Sequence, residues 1–196
     1  MAAQRDAGRF HVESAGEWRA WLAAHPDRTE GVWLVSWRAS SGRPHVTYEE
    51  AIEEALCFGW VDGQASQIDE ERSMLWFAPR RKGSTWARTN KDRVARLERD
   101  GRMTDAGRKV IERATADGTW TILDSVDQML VPEDLAASFA AWPGSREKWE
   151  AFPPSVRRLH LGWIVLAKAP ETRARRIAQV AEKASRGERA NEPRRR

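Results

Sequence analysis

The chain has 196 residues, 41% hydrophobic and 32% charged, enough for one substantial domain or for a domain with a helical appendage. Its formal net charge is +4, a mild excess that bears on weak attraction to polyanions and says nothing about fold. A single cysteine, Cys57, excludes a disulfide framework within the chain, and the longest apolar run near the C-terminal end, WIVLA at 163–167, is too short to span a bilayer.

The opening MAAQRDAGRF lacks an apolar signal core, which points to a cytoplasmic protein with a flexible N-terminus over 1–12. Ser14 can cap a short helix carrying Trp18, Trp21 and Leu22 at helical spacing, ended before Pro26. GVWLVSWRA at 31–39 reads as a strand and SSGRP at 40–44 as a turn. Thr47 and Glu50 form a capping box for a helix with Ala51, Ile52, Ala55 and Leu56 on one face, and Gly59 suits its C-terminal stop. Asp62-Gly63 is a turn signal. ASQID and SMLWFAP, flanking EERS, read as an antiparallel pair.

Beyond Gly83 the pattern turns helical. Ser84 or Thr85 can cap a helix with Val94 and Leu97 inward, ended by Gly101. Thr104 or Asp105 caps the next, with Val110, Ile111 and Ala114 inward, ended by Gly118. Residues 119–131 read as a connector. Pro132 fits the first turn of a helix with Leu135 and Phe139 inward. PGSREKWEAF is a short helix. The stretch at 153–169 is a longer one with Val156, Leu159, Trp163 and Leu166 near helical spacing, and His160 on its surface or half-buried. Pro170 opens a last helix with Ile177, Val180, Ala181 and Ala184 inward, ended by Gly187. The expected fold class is α+β: a small antiparallel sheet packed with helices over 13–130, an all-helical region over 131–187, and a disordered basic tail over 188–196.

Charge is unevenly spread. Residues 72–113 hold 13 Lys/Arg against 5 Asp/Glu, and residues 168–196 hold 10 against 4, so the remainder is acidic. Eleven Trp against one Tyr is unusual, and most are expected in the core. The four His share no metal-ligand spacing with one another or with Cys57, so neither a metal nor another cofactor is expected. Cys57, in an apolar helix end with no nearby His, reads as a small hydrophobe rather than a nucleophile.

WFAPRRKGSTW, from Trp76 to Trp86, is the candidate site. Arg80, Arg81 and Lys82 cannot all be buried without partners, and a guanidinium fork suits phosphate or carboxylate and stacks on aromatics. Trp60, Trp76 and Trp86 supply rings, with Asp62 and Asn90 placed to orient the Arg forks. Arg93, Arg96 and Arg99, three residues apart, extend the charge along one helix face, which also suits single-stranded nucleic acid. The plain alternative is a solvated basic loop over core tryptophans.

TYEEAIEEALCFGWVDGQ (47–64), IDEERSMLWFAPRRKGSTWARTNKDRV (68–94), GRMTDAG (101–107) and FPPSVRRLHLGWIVLAKAPETRARRI (152–177) together resemble the YdeI/OmpD-associated family, also labelled bacteriocin-protection proteins. The resemblance covers nearly the whole chain. It implies a bacterial stress- or bacteriocin-tolerance role and a porin association, with no established reaction. The family is sometimes described as periplasmic, and its pattern often has Thr where this chain has Ala78. The reading is therefore a tolerance protein that binds an anionic ligand through Trp60, Asp62, Trp76, Arg80, Arg81, Lys82, Trp86 and Asn90 without catalysis. The alternatives are a nucleic-acid-binding protein using 80–99, and a small-molecule enzyme with Asp62 as acid or base. A steep fall of affinity with salt would mark the former.

Overall fold

A computed structural model describes residues 8–191. The chain is α+β and divides into two compact units between Trp120 and Thr121, earlier than the break at 130 that the sequence suggested.

The first unit opens with strand β1 (Arg9–Val12), in a segment expected to be flexible. Helix α1 (Ala15–Ala24) follows, its N-cap Ser14 accepting from the Glu17 amide at 3.2 Å. Strand β2 (Val32–Trp37) and a 3₁₀ turn (Ala39–Ser41) lead to helix α2 (Tyr48–Cys57). The Thr47–Glu50 capping box is complete, each partner satisfying an amide that the helix leaves open. Strands β3 (Trp60–Gln67) and β4 (Arg72–Pro79) form an antiparallel hairpin. Helices α3 (Arg88–Arg99) and α4 (Asp105–Ala116) complete the unit.

The sheet order is β1-β2-β4-β3. It is mixed rather than wholly antiparallel, because β1 runs parallel to β2, a crossover that α1 makes possible. Asp62-Gly63 is not a turn: both lie within β3, where the register shifts between Asp62 and Ala65, and the chain reverses at 68–71 instead. The Asp69 carboxylate makes that reversal, accepting from the Arg72 amide at 2.7 Å. Strand alternation sends Val32, Leu34 and Phe77 into the helix-covered core with Trp18, Leu22, Ile52, Leu56, Trp86 and Leu97. Trp33 and Trp76 stand as a cross-strand pair on the opposite face, edge to face at 5.3 Å.

The second unit is helical: α5 (Asp124–Asp127) inside the expected connector, then α6 (Glu133–Ala140), α7 (Ser145–Glu150), α8 (Pro154–Val165) and α9 (Pro170–Ser185). Its core joins Leu135, Phe139, Trp149, Leu161, Ile164, Ile177, Val180 and Ala181. The buried face of α8 is not the one expected. His160, Leu161 and Ile164 point inward, while Leu159 and Leu166 are each 43% exposed. One residue rotates a helix by about 100°, and the Trp149 indole settles the choice by donating to His160 Nδ1 at 3.2 Å. Ala190, in the stretch expected to be a disordered tail, is 1% exposed, and its carbonyl lies 2.9 Å from His160 Nε2. The rest of that stretch, 192–196, lies outside the described residues. Among the described residues no helix is long and apolar enough to cross a membrane.

Candidate functional site

Strand β4 ends at Pro79, and Arg80 extends the pairing by one bond, its N–H donating to the Gly59 carbonyl at 3.0 Å. The chain then turns. The Ser84 amide donates to the Arg81 carbonyl at 3.1 Å, and Gly83 takes φ 81°, a left-handed value that a Cβ would strain. Trp86 follows, 1% exposed, with its ring 4.9 Å from that of Trp120. Ala87 caps α3 through no side chain, so Ser84 and Thr85 do not serve as the caps expected of them.

Arg80 is the unusual member. It is 6% exposed, and its guanidinium lies over the Trp86 ring, 3.7 Å from the centroid. Nη1 donates to the Thr85 carbonyl at 3.0 Å, but Nε is buried with no hydrogen-bond partner. Burial lowers its pKa to about 10, and the Asp62 charge at longer range opposes that shift. A desolvated cation without a bonded counter-charge costs on the order of several kcal/mol. Among the described residues, the other buried Nε without a partner, on Arg157 in the second unit, belongs to a side chain only half-buried.

A narrow hollow, too tight to hold a water molecule, surrounds the Arg80 head, lined by Arg81, Ser84, Arg113, Asp117 and Thr119 among others. Arg113 Nη2 donates to the Arg80 carbonyl at 2.9 Å. Asp117 accepts from the Thr119 hydroxyl at 2.5 Å and from its amide at 3.1 Å. The Thr119 hydroxyl first, then the Thr119 and Gly83 amides and the Lys82 charge, hold the Asp117 carboxyl below its ordinary range. The 80–86 turn is thus tied to the end of α4. Nothing near Arg80 in sequence announces Arg113, Asp117 or Thr119; the ADGT pattern at 116–119 is legible only as a helix stop.

Of the eight expected site residues, Arg80, Arg81 and Trp86 meet at this hollow, and Lys82 stands exposed on the same turn. The others are engaged elsewhere. Trp60 is a core residue, 4% exposed, with its ring edge-to-face on Trp18 at 6.3 Å and on Trp21 at 5.8 Å. Trp76 is on the opposite sheet face from Phe77 because successive strand residues alternate. Asp62 forms no ion pair with Arg80 and instead accepts from the Tyr48 hydroxyl at 3.1 Å. The Asn90 side-chain oxygen accepts from Arg93 at 2.9 Å rather than orienting Arg80 or Arg81.

Two of the three cations of the stripe on α3 are paired. Arg93 grips Glu49 at 2.8 and 2.6 Å, and Arg96 bonds Glu49 and Glu53. Arg102 bonds Glu53 at 2.6 Å and Glu54 at 2.7 Å, and Arg19 reaches Glu54 at 2.7 Å. Glu49, Glu53 and Glu54 recur along α2 and neutralise cations from α1, from α3 and from the loop after it. A shallow groove of about 360 Å³ beside them is lined by Glu49, Arg93, Arg96 and Arg99. Cys57 is fully buried; burial pushes its thiol up, with the Arg19 guanidinium opposing. Among the described residues no group of three or more His, Cys, Asp or Glu could hold a metal.

Two family models match the chain. Residues 10–110 match a family described as a domain of unknown function (DUF8412), and residues 128–187 match the family described as Bacteriocin-protection, YdeI or OmpD-Associated. The two matches fall in the first and second compact units respectively. Searches of curated proteins and of solved structures returned no match. With over half of its residues inside the first match, the chain belongs to that family of unknown function, and its C-terminal segment is of the YdeI/OmpD-associated type.

Proposed function

We propose that the chain is a binding protein for a small anion, held at Arg80 on the Trp86 face, and that this binding serves the bacteriocin-protection role named for its YdeI-type segment. The observation that carries the reading is the Nε of Arg80, buried and without a partner in a hollow that two further arginines line. A fold under no demand for that cation gains by replacing it with an apolar side chain of similar volume. Retaining it is the signature of a site that trades stability for binding.

The test is Arg80→Met. The parent is expected to melt at a higher temperature with increasing phosphate or sulfate at constant ionic strength, since a ligand that binds only the native state raises Tm by mass action. Arg80→Met is expected to lose that rise while keeping a cooperative melt within about 1 kcal/mol of the parent, or above it. A variant that loses several kcal/mol, from a parent indifferent to anions, would make Arg80 a structural latch for the 80–86 turn and end the reading.

Nucleic-acid binding through 80–99 is the weaker reading, because Arg93 and Arg96 already face Glu49 and Glu53. The enzyme reading is weaker still, because Asp62 and Arg80 form no pair on which acid–base chemistry could be built.

A further inference from the structure

Resting on the reading of Arg80 as an anion-binding group, we infer that the group bound there is a tetrahedral dianion, the phosphate of a phosphomonoester, rather than a carboxylate. The first argument is charge. Three arginines, Arg80, Arg81 and Arg113, line the hollow against one carboxylate, Asp117. Asp117 is held ionised by the donors that surround it, and an arginine side chain carries its charge at neutral pH. The surplus at the hollow is two positive charges. A monocarboxylate would leave one of them uncompensated, whereas a dianion cancels both.

The second argument is the shape of what Arg80 offers. Nη1 is committed to the Thr85 carbonyl, and the guanidinium is stacked on Trp86. The fork therefore cannot turn about its stem, and its Nε edge is the free one. Two adjacent N–H groups on that edge match two oxygens of a phosphate in a bidentate pair. The stacking face of Trp86 is already covered by Arg80, so the organic part of the ligand is not recognised by that ring. The site reads the phosphate and leaves the remainder of the molecule outside.

Entry requires motion. The side chains close around Arg80 without a water-sized void. The exposed Arg81 and Gly83 form one wall, with Lys82 on the same turn, tied to Asp117 through the Gly83 amide. A phosphate reaching Nε displaces this turn and brings Arg81 and Lys82 onto its outer oxygens.

The experiment is titration calorimetry of the full chain with methyl phosphate, sulfate and acetate, at pH 8 and pH 5 and constant ionic strength. A phosphomonoester has a second pKa of about 6, so about a tenth of it is dianionic at pH 5. Methyl phosphate affinity is expected to fall about tenfold from pH 8 to pH 5, while sulfate, a dianion throughout, binds equally at both. Acetate should bind at least tenfold more weakly than either. Arg80→Lys, which keeps the charge and removes the fork, should weaken methyl phosphate at least tenfold with a cooperative melt retained; Arg81→Ala, on the exposed wall, should weaken it several-fold. Acetate binding as tightly as methyl phosphate, or methyl phosphate affinity unchanged with pH, would overturn the dianion inference and leave the anion site standing. No heat from any of the three would sink both.

Discussion

His160 and Trp149 are joined inside the second unit by a bond from the indole N–H to the ring nitrogen Nδ1, 3.2 Å long. Trp can only donate, so Nδ1 is the bare nitrogen and Nε2 carries the proton. That proton is donated to the Ala190 carbonyl at 2.9 Å; the Ala190 amide, 3.1 Å from the same nitrogen, gains no acceptor in this tautomer. Protonating the ring would aim a second N–H at the indole.

Acid should therefore loosen this clasp. Burial first, and the Arg189 charge after it, lower His160, with the Ala190 bond opposing. The unfolded chain takes up its proton near pH 6.5 and the folded one at lower pH. Stability is thus complete above pH 6.5 and falls as pH drops below it, by at most about 1.4 kcal/mol per pH unit, until the folded pKa is reached. The check is urea unfolding of the chain between pH 7.5 and 5.5, above most of the range where carboxylates protonate. His160→Gln should flatten that slope, and an unchanged slope would place the pH sensitivity elsewhere.

Gly107 sits where a helix backbone meets another backbone. A Cβ there would lie 2.4 Å from the Cys57 carbonyl oxygen and 2.9 Å from its carbon. The same carbonyl accepts from the Thr104 hydroxyl at 2.6 Å, which fixes α4 against the end of α2. Ala in a helix interior normally gains about 1 kcal/mol over Gly. Here the sign should invert, with Gly107→Ala losing about 1–3 kcal/mol because neither backbone can yield. Thermal denaturation should show Tm lower by several degrees. A gain in Tm would show that α4 moves off α2 freely.

These two places mark how far the sequence can be read. Local signals were legible: Ser14, the Thr47–Glu50 box and Thr104 each announce a helix start through a side chain that reaches an amide three residues on. The α+β class, the hairpin after Gln67 and the buried face of α9 follow from period and turn chemistry. Facts set by distant partners were not legible. The phase of α8 depends on Trp149, since apolar residues occupy two overlapping stripes of that helix. Asp62-Gly63 has the composition of a turn but is pulled into β3 by pairing with Phe77 and its neighbours. Arg80 could be picked out as part of a cationic run, but only the fold separates it from Arg81 and Lys82 by burying it. Arg113 and Asp117 come to the hollow from the end of a helix about thirty residues downstream.

Cys57 should be chemically silent in the native chain. The side chain is 0% exposed, and burial raises its thiol so that little thiolate forms at neutral pH. Reaction with an aromatic disulfide reagent at pH 8 is expected to be at least a hundredfold slower in the folded chain than in denaturant. Comparable rates would mean that the end of α2 opens readily and that the α2–α4 contact is weaker than its geometry implies.

Glu49 decides whether the chain can hold nucleic acid. It takes both fork nitrogens of Arg93 and one from Arg96, and Glu53 takes a further bond from Arg96. Glu49 is about half exposed, so these pairs contribute little to stability, and Glu49→Gln should lower it by less than about 1 kcal/mol. Its effect on the surface is larger, since Arg93 loses its counter-charge and Arg96 keeps only Glu53, beside Arg99. The parent is expected to bind a single-stranded 20-mer weakly at 0.15 M salt. Glu49→Gln should bind it several-fold more tightly, and the slope of log affinity against log salt should steepen by about 1 as more phosphates are contacted. If the parent already binds tightly with a steep slope and the variant adds nothing, the α2 carboxylates do not mask the α3 stripe. The anion chemistry of the chain would then belong to residues 80–99 as a whole and not to the hollow around Arg80.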